Sequence, residues 1–236
     1  MARKSSGSKS PFPAIIAVVG VVGVAVLGYV MSRPAAVVML DPSTLPRVAA
    51  AGILKGDPNA PVQVMEFADF ECPACGNFAT VTGPDVMQRL VATGQVAIRF
   101  FDLPLEIHPN AVPAHNAAHC ANEQGKFWEM HDLIFAGQFD WNTQATRNPK
   151  RVLEGYVNQI GLDNAKWNEC FDSGRMLPQI LANRDEAARL RVRSTPSFVI
   201  GTQLVEGSIT YDTFKKYVDE ARAAATQATS ASPTGN

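Results

Sequence analysis

The sequence predicts an α/β fold in which a helical domain is inserted into one crossover of a sheet. β-rich runs over 62–68 and 96–101 flank a helical pattern, and from 110 to 189 the chain shows almost no strand signal. Two further β-rich runs and a last amphipathic helix close the folded part. The order strand, helix, strand, helices, hairpin, helix is typical of a sheet with a helical insert.

An apolar segment precedes this domain and predicts one membrane-spanning helix. Residues 14–31 carry no charge and are just long enough to span a bilayer. More basic residues stand close before this segment than after it, so the positive-inside rule places 1–13 in the cytoplasm and the rest outside. A cleaved signal peptide is the alternative, but no small-residue cleavage site follows Met31. We therefore expect a single-pass protein of the cell membrane with an extracytoplasmic domain.

Composition marks the ends of that domain. Residues 32–61 are rich in Ala and Pro with several turn formers, which predicts a tether. Residues 226–236 are mainly Ala, Thr, Ser, Pro and Gly, which predicts a disordered tail. The folded domain is therefore expected over 62–225, with its helical insert over about 108–191.

Within the domain, periodicity predicts each element in turn. The first strand is Val62 to Ala68, and the helix from 76 to 91 is expected to be interrupted at Gly83-Pro84. The strand from 96 to 101 is followed by helices over 111–124, 127–135, 150–160, 164–171 and 177–191. A hairpin over 197–206 and a helix over 211–224 end the domain.

The charge balance argues against nucleic-acid binding. Lys and Arg number 21 against 22 Asp and Glu, and no long basic run occurs outside the N-terminus. The length fits one domain with tails, and we expect a monomer without a cofactor. The four cysteines are Cys72, Cys75, Cys120 and Cys170, an even number that is able to pair completely.

The Cys72-Pro73-Ala74-Cys75 run predicts a redox pair. Cys72 stands between a strand and a helix, where unsatisfied N–H groups and the helix dipole favour a thiolate. Cys75, one turn later, is close enough to form a disulfide with Cys72 and to resolve a mixed disulfide. A structural disulfide is the first alternative, and half of a metal site is the second, although no other Cys-x-x-Cys occurs.

The segment from Glu66 to Cys75 resembles the active-site segment of the DsbA-like thiol-disulfide oxidoreductases. The resemblance extends from Gly56 to about Ala224 and includes Ser194-Thr195-Pro196-Ser197-Phe198 before the hairpin. It implies a thioredoxin-like fold with a helical insert, in which Pro196 is cis and faces the cysteines. It also implies a substrate-binding groove formed by Thr195, Pro196, Pro73, Ala74 and, in a nearby loop, His108.

Two acidic residues accompany the cysteines. Glu66 shares a strand face with Val64 and Ala68, where burial would raise its pKa. The resemblance implies that it either transfers protons near Cys75 or sets the pKa of the cysteine pair. The alternative is a strand residue facing solvent. Glu71 stands beside Cys72, and its carboxylate is expected to oppose thiolate formation there.

The helical insert holds the other two cysteines and all four histidines. The resemblance implies a structural bridge between Cys120 and Cys170, with two buried thiols or an electron relay as alternatives. His115 and His119 share a helix face, so a metal site is conceivable, but no His-Glu-x-x-His pattern supports it. We expect these two histidines to be exposed.

Together these features predict an oxidase. We expect Cys72 and Cys75 to introduce disulfides into reduced exported proteins, with reoxidation by a membrane quinone enzyme of the DsbB-like or vitamin K epoxide reductase-like kind. The alternatives are a reductase or isomerase that uses the same cysteines. A module that binds a metal or a partner through Cys72 and Cys75 is a third hypothesis.

Overall fold

A computed structural model describes residues 37–39 and 52–231. The chain divides into two units, Met1–Pro34 and Ala35–Asn236, and the described residues all belong to the second. The predicted cytoplasmic segment 1–13 and membrane anchor 14–31 lie outside the described residues. Within 37–39 and 52–231, none of the helices has the length and apolar character needed to cross a membrane.

Six strands form one mixed sheet in the order β1-β6-β5-β3-β4-β2. Strand β3 pairs in parallel with β4, and every other neighbouring pair is antiparallel. The strands are β1 (Val37–Met39), β2 (Ile53–Lys55), β3 (Val62–Ala68), β4 (Val96–Asp102), β5 (Ser197–Ile200) and β6 (Gln203–Glu206). The apolar runs of β3 and β4 are buried on both sides, as central parallel strands must be.

The crossover from β3 to β4 is helical from Pro73 to Val91. It comprises α1 (Pro73–Asn77), a π-helical segment (Phe78–Thr82), α2 (Gly83–Val86) and a second π-helical segment (Met87–Val91). The helix begins at Pro73, earlier than predicted, because proline suits the first helical turn. Gly83-Pro84 does not break it: Pro84 lacks an N–H group, and the preceding turn widens into the π-helical segment instead.

The insert between β4 and β5 is entirely helical, as predicted. Its helices are α3 (Ala111–Asn122), α4 (Phe127–Ala136), α5 (Gln138–Trp141), α6 (Lys150–Gln159), α7 (Asn164–Ser173) and α8 (Leu177–Arg189). Only the short α5 was not predicted, because a single turn carries too little periodicity. Helix α9 (Tyr211–Ala231) follows the hairpin and packs on the sheet.

Three apolar clusters hold the domain together. Phe78, Phe198 and Phe214 pack on one face of the sheet, and Phe67, Leu190 and Leu204 are buried in a second cluster. The third cluster joins the insert to the active-site segment through Phe70, which stacks on Phe100 and contacts aromatic rings of α3 and α4.

Two predicted boundaries need correction. Within the predicted tether, β1 pairs with β6 and β2 with β4, so both short segments are edge strands of the sheet. A segment of three residues is too short to show an alternation of apolar and polar side chains. These two segments are strands because they pair with β6 and β4. At the other end, α9 continues past residue 225 to Ala231 because its Ala-rich end has high helix propensity.

Candidate active site

Cys72 lies at the N-terminus of α1 and Cys75 lies one turn inside it. Cys72 has extended backbone angles, φ −71° and ψ 122°, so the helical N–H groups begin directly after it. Its side chain is 8% exposed, whereas Cys75 is only 1% exposed. Both are free thiols in this structure. The first is therefore accessible to another thiol and the second is not.

The two thiols differ in acidity as well as in exposure. A hydrogen bond from the Cys75 thiol, with others from Thr195 and the α1 backbone, lowers the pKa of Cys72 to about 5 despite partial burial. Burial, followed by the nearby Cys72 sulfur, raises the pKa of Cys75 well above its usual value. Cys72 is thus a thiolate at neutral pH, and Cys75 is a thiol that supports it.

The loop before β5 faces Cys72. The Thr195-Pro196 peptide bond is cis, and the Cys72 Sγ lies 3.5 Å from the Thr195 carbonyl oxygen. The Thr195 side chain is buried beside Cys72 and contributes to the lowered pKa of that cysteine. Pro73 is exposed and Ala74 is half-buried. The structure therefore brings Thr195, Pro196, Pro73 and Ala74, four of the five residues of the predicted groove, close to Cys72.

His108 contacts the active-site segment through Asp69. Its Nδ1 lies 2.7 Å from the Asp69 Oδ2, and its side chain is 17% exposed against 0% for Asp69. The Asp69 amide in turn donates to the Cys75 Sγ at 3.5 Å. His108 thus lies against the base of the active-site loop. Its imidazole contacts the Asp69 carboxylate. Asp69 carries no sequence signal for this contact, although it stands between the strand and the cysteines.

Glu71 is held away from Cys72 by the helical insert. Its Oε2 accepts the Asn110 N–H at 2.7 Å, and its Oε1 accepts both the N–H and the hydroxyl of Thr143. These donors compensate a buried carboxylate and tie the active-site segment to α3 and the loop after α5. The pKa of Cys72 is lowered nevertheless, so the opposing effect expected of the Glu71 carboxylate does not prevent a thiolate at Cys72.

Gln138 of α5 is a further part of the site that the sequence did not reveal. Its Nε2 donates to the carbonyl oxygens of Phe70 at 2.7 Å and Cys72 at 3.0 Å. Its amide also fills the space beside Gly76, where a Cβ atom would lie 2.9 Å from the Gln138 Oε1. Gln138 therefore fixes the active-site backbone from the insert. A glutamine in a four-residue helix gives no sequence signal for such a role.

Glu66 is buried on β3 beneath the active-site helix. It is 4% exposed, and burial raises its pKa to about 8. It lines a cavity of about 450 Å³ that is also bounded by Phe78, His131, Lys55 and Trp128. The alternative of a solvent-facing carboxylate is therefore wrong. Within the described range 52–231, Glu66 forms no hydrogen bond with either cysteine.

Cys120 and Cys170 form a disulfide that joins α3 to α7. Their Cα atoms are 5.6 Å apart, and both side chains are fully buried. The bridge closes a separation of 50 residues within the insert. Two buried free thiols, the first alternative, are therefore not what the structure shows.

The expected exposed histidines of α3 are buried. His115 Nδ1 and His119 Nε2 lie 2.6 and 2.7 Å from the two oxygens of Asp102, and Asn183 donates to the same carboxylate. Burial alone would raise the pKa of Asp102, but the charges of His119 and His115 outweigh it and lower that pKa. The pair shares a helix face because it binds one carboxylate at the end of β4. Asp102 carries no sequence signal for this contact.

Comparison with known proteins identifies the family of the chain. A family model described as Thioredoxin matches residues 49–220. An Na(+)/H(+) antiporter NhaA 3 from Salinispora tropica is 35% identical over 173 residues, which cover 73% of this chain. The matched region is only 25% of the antiporter's length, so the chain corresponds to about a quarter of that relative.

Two further matches are, by name, a disulfide bond formation protein and a DsbA protein. A probable disulfide bond formation protein D from Bacillus anthracis is 25% identical over 170 residues, covering 70% of this chain and 76% of that protein. The structure of an alpha-DsbA1 variant from Wolbachia pipientis superposes with a TM-score of 0.69 at 20% identity, covering 78% of this chain and 97% of the other. This likeness confirms the predicted thioredoxin-like fold with its helical insert. The chain therefore belongs to the thioredoxin family, and its fold is that of the DsbA structures.

Proposed function

We propose that the protein is an oxidase that transfers the Cys72–Cys75 disulfide to reduced, exported proteins. The difference in acidity between the two thiols is the observation that carries the proposal. A pKa of about 5 makes Cys72 a stable thiolate in the reduced protein. Stabilising the reduced form makes the disulfide a stronger oxidant, because its reduction then releases more free energy. The direction of transfer is therefore from this protein to its substrate.

The proposed reaction has two thiol-disulfide exchanges. A substrate thiolate attacks the Cys72 sulfur, the Cys72–Cys75 bond breaks, and its electron pair remains on Cys75, which takes up a proton. A second substrate thiolate then attacks the substrate sulfur of the mixed disulfide. The substrate disulfide forms, and Cys72 leaves as a thiolate, which its low pKa favours. The substrate is oxidised by two electrons and the cysteine pair is reduced by two.

The surroundings of Cys72 support binding of an extended substrate segment. The Thr195 carbonyl faces the sulfur, and Pro73 and Ala74 flank it at the surface. Main-chain hydrogen bonds to such a loop depend little on the substrate sequence, as in strand addition. We propose that Thr195, Pro196, Pro73 and Ala74 bind the substrate backbone, and that His108 acts through Asp69.

Proton transfer is proposed for Glu66. The Cys75 thiol gives up its proton when the pair is reoxidised and regains one when the disulfide is broken. Glu66 is buried next to the active-site helix and borders a cavity that lies partly open to solvent. A carboxyl group with a pKa of about 8 exchanges a proton readily near neutral pH.

Location and reoxidation complete the proposal. The uncharged segment 14–31, with more basic residues before it than after it, supports an anchor with the catalytic domain outside. An anchored oxidase lies close to a membrane quinone enzyme of the DsbB-like or vitamin K epoxide reductase-like kind, which we propose as its oxidant. A reporter enzyme active only outside the cytoplasm, fused after residue 231, tests this orientation. Activity of the same reporter fused before residue 14 would contradict it.

The reduction potential tests the oxidase directly. The full chain in mild detergent is equilibrated with glutathione redox buffers, and the fraction with a Cys72–Cys75 disulfide is measured. We expect a potential well above that of thioredoxin, in the range of about −120 to −180 mV found for oxidases and isomerases. A potential near about −270 mV would instead assign a reductase. Stoichiometric zinc or copper in the purified, reduced protein would favour the metal-binding module.

A further inference from the structure

We propose that Asp69 is a positioning residue: its carboxylate, held by His108, fixes the Asp69 amide against the Cys75 sulfur and so stabilises the thiolate that forms there. The proposal rests on the proposed function, because Cys75 is the leaving group of the first exchange. It also gives His108 a specific role in the site.

The Asp69 side chain is fixed from two segments of the chain. Its Oδ1 accepts the N–H of Glu71 at 2.7 Å, within the active-site segment. Its Oδ2 accepts the N–H of Leu105 at 2.8 Å and lies 2.7 Å from the His108 Nδ1, both in the loop after β4. The side chain is fully buried. Within 52–231 these three donors contact the Asp69 carboxylate, so the loss of one leaves it with two.

The backbone of the same residue contacts both cysteines. The Asp69 N–H donates to the Cys75 Sγ at 3.5 Å, and its carbonyl oxygen accepts the Cys72 N–H at 3.1 Å. A donor directed at a sulfur stabilises the thiolate over the thiol. For Cys75 this hydrogen bond opposes burial, which raises the pKa. Rotation of the Asp69 peptide would remove the bond.

His108 is the donor to Asp69 that a substitution removes most simply. The other two are backbone N–H groups, which substitutions other than proline leave in place, whereas His108 contributes through its side chain. Its own backbone is fixed by hydrogen bonds with Leu105 and Ala111, so a substitution leaves the loop in place. Without the imidazole, the buried Asp69 carboxylate keeps two donors and loses its third, which weakens the hold on the peptide.

Reduction of the Cys72–Cys75 disulfide by glutathione isolates the step in which Cys75 leaves as a thiolate. The glutathione thiolate attacks the Cys72 sulfur, a glutathione–Cys72 disulfide forms, and the Cys72–Cys75 bond breaks with its electron pair on Cys75. Exchange is slower when the leaving thiolate is less stable. The rate therefore reports the Asp69 hydrogen bond without any protein substrate.

The experiment follows this reduction by stopped-flow fluorescence on the oxidised full chain. We expect His108→Ala to slow it roughly tenfold, the effect of weakening one hydrogen bond to a charged group. His108→Asn places an amide N–H near the position of Nδ1 and should restore most of the rate. Asp69→Asn should be slowed at least as much as His108→Ala if it folds.

Asp102→Asn is the matched control. Asp102 is also a buried carboxylate bound by histidines, but its partners lie on α3 and α8 and not in the active-site segment. It should lower the thermal midpoint while the rate of reduction stays within twofold of wild type. The pH profile of Cys72 alkylation should also stay unchanged in His108→Ala, because the effect is on Cys75.

The proposal is wrong if His108→Ala loses stability but reacts with glutathione at the wild-type rate, or if His108→Asn is as slow as His108→Ala. These rates compare variants of one protein, so they do not depend on the net direction of electron flow. A reductase-like potential would overturn the proposed oxidase and leave this comparison intact.

Discussion

The Cys72 sulfur lies 3.5 Å from the carbonyl oxygen of Thr195, although 123 residues separate the two in the chain. This contact joins the start of α1 to the loop before β5 across the whole helical insert. It arises because β5 pairs antiparallel with β3, so the start of β5 lies beside the end of β3 from which the cysteines follow. The accessible Cys72 sulfur is thereby placed beside the Thr195 carbonyl oxygen.

Loss of Cys75 should trap substrates. In Cys75→Ala, the Cys72 thiolate still attacks a substrate disulfide, which forms a mixed disulfide and releases one substrate thiolate. No Cys75 thiol is present to break this mixed disulfide, so such complexes accumulate. We expect complexes above the monomer mass on non-reducing gels of alkylated extracts, and their disappearance in Cys72→Ser. The double variant is the control and should give none. Wild-type turnover by Cys75→Ala would exclude a resolving role for Cys75.

Thr195→Val should raise the pKa of Cys72. Valine keeps the shape of threonine but cannot donate to the thiolate, and the Thr195 side chain contributes to the lowered pKa. In wild type the rate of iodoacetamide alkylation should rise with a midpoint near pH 5. The variant midpoint should lie roughly one pH unit higher. Thr93→Val, at an exposed turn, is the control, and an unchanged midpoint in Thr195→Val would contradict the contact.

Glu66→Gln should stabilise the protein at neutral pH. The pKa of Glu66 is raised from 4.5 to about 8, so between these values the folded state holds a proton that the unfolded state has lost. Wild-type stability therefore falls as the pH rises through this window, and the variant avoids that loss. At pH 7 the difference should be roughly 2–4 kcal/mol.

Urea unfolding at several pH values measures this difference. The two proteins should converge below about pH 4, where Glu66 is protonated in both states. Activity gives a second reading, because a proton-transfer role requires slower reoxidation in the variant. If the two proteins are equally stable at pH 7 and also at pH 4, burial does not raise the pKa of Glu66.

Removal of the second disulfide should weaken the fold and leave the active site unchanged. Cys120→Ala with Cys170→Ala frees a loop of 50 residues, which costs about 4 kcal/mol on the chain-entropy model. The melting temperature should fall, and the potential of the Cys72 pair should not move. A large change in that potential with folding intact would instead support an electron relay.

Periodicity and residue spacing predict the local elements and the chemistry of the Cys72–Cys75 pair. Strand β3, the hairpin of β5 and β6 and the five longer helices of the insert follow from periodicity, because burial of one face repeats at a fixed spacing. The position of Cys72 between a strand and a helix likewise predicts its low pKa, since the stabilising N–H groups come from the residues that follow it.

The contacts between polar groups that are distant in sequence depend on tertiary packing. The edge strands β1 and β2 exist only through their partners, and the buried histidines of α3 depend on Asp102. The supports of the active site follow the same pattern: Asp69 meets His108 and Gln138 meets the Cys72 carbonyl. Such contacts leave no periodic trace, because each forms once, between single residues that the packing of the insert on the sheet brings together. Local spacing therefore predicts the reacting sulfur atoms, and only packing places the groups that hold them.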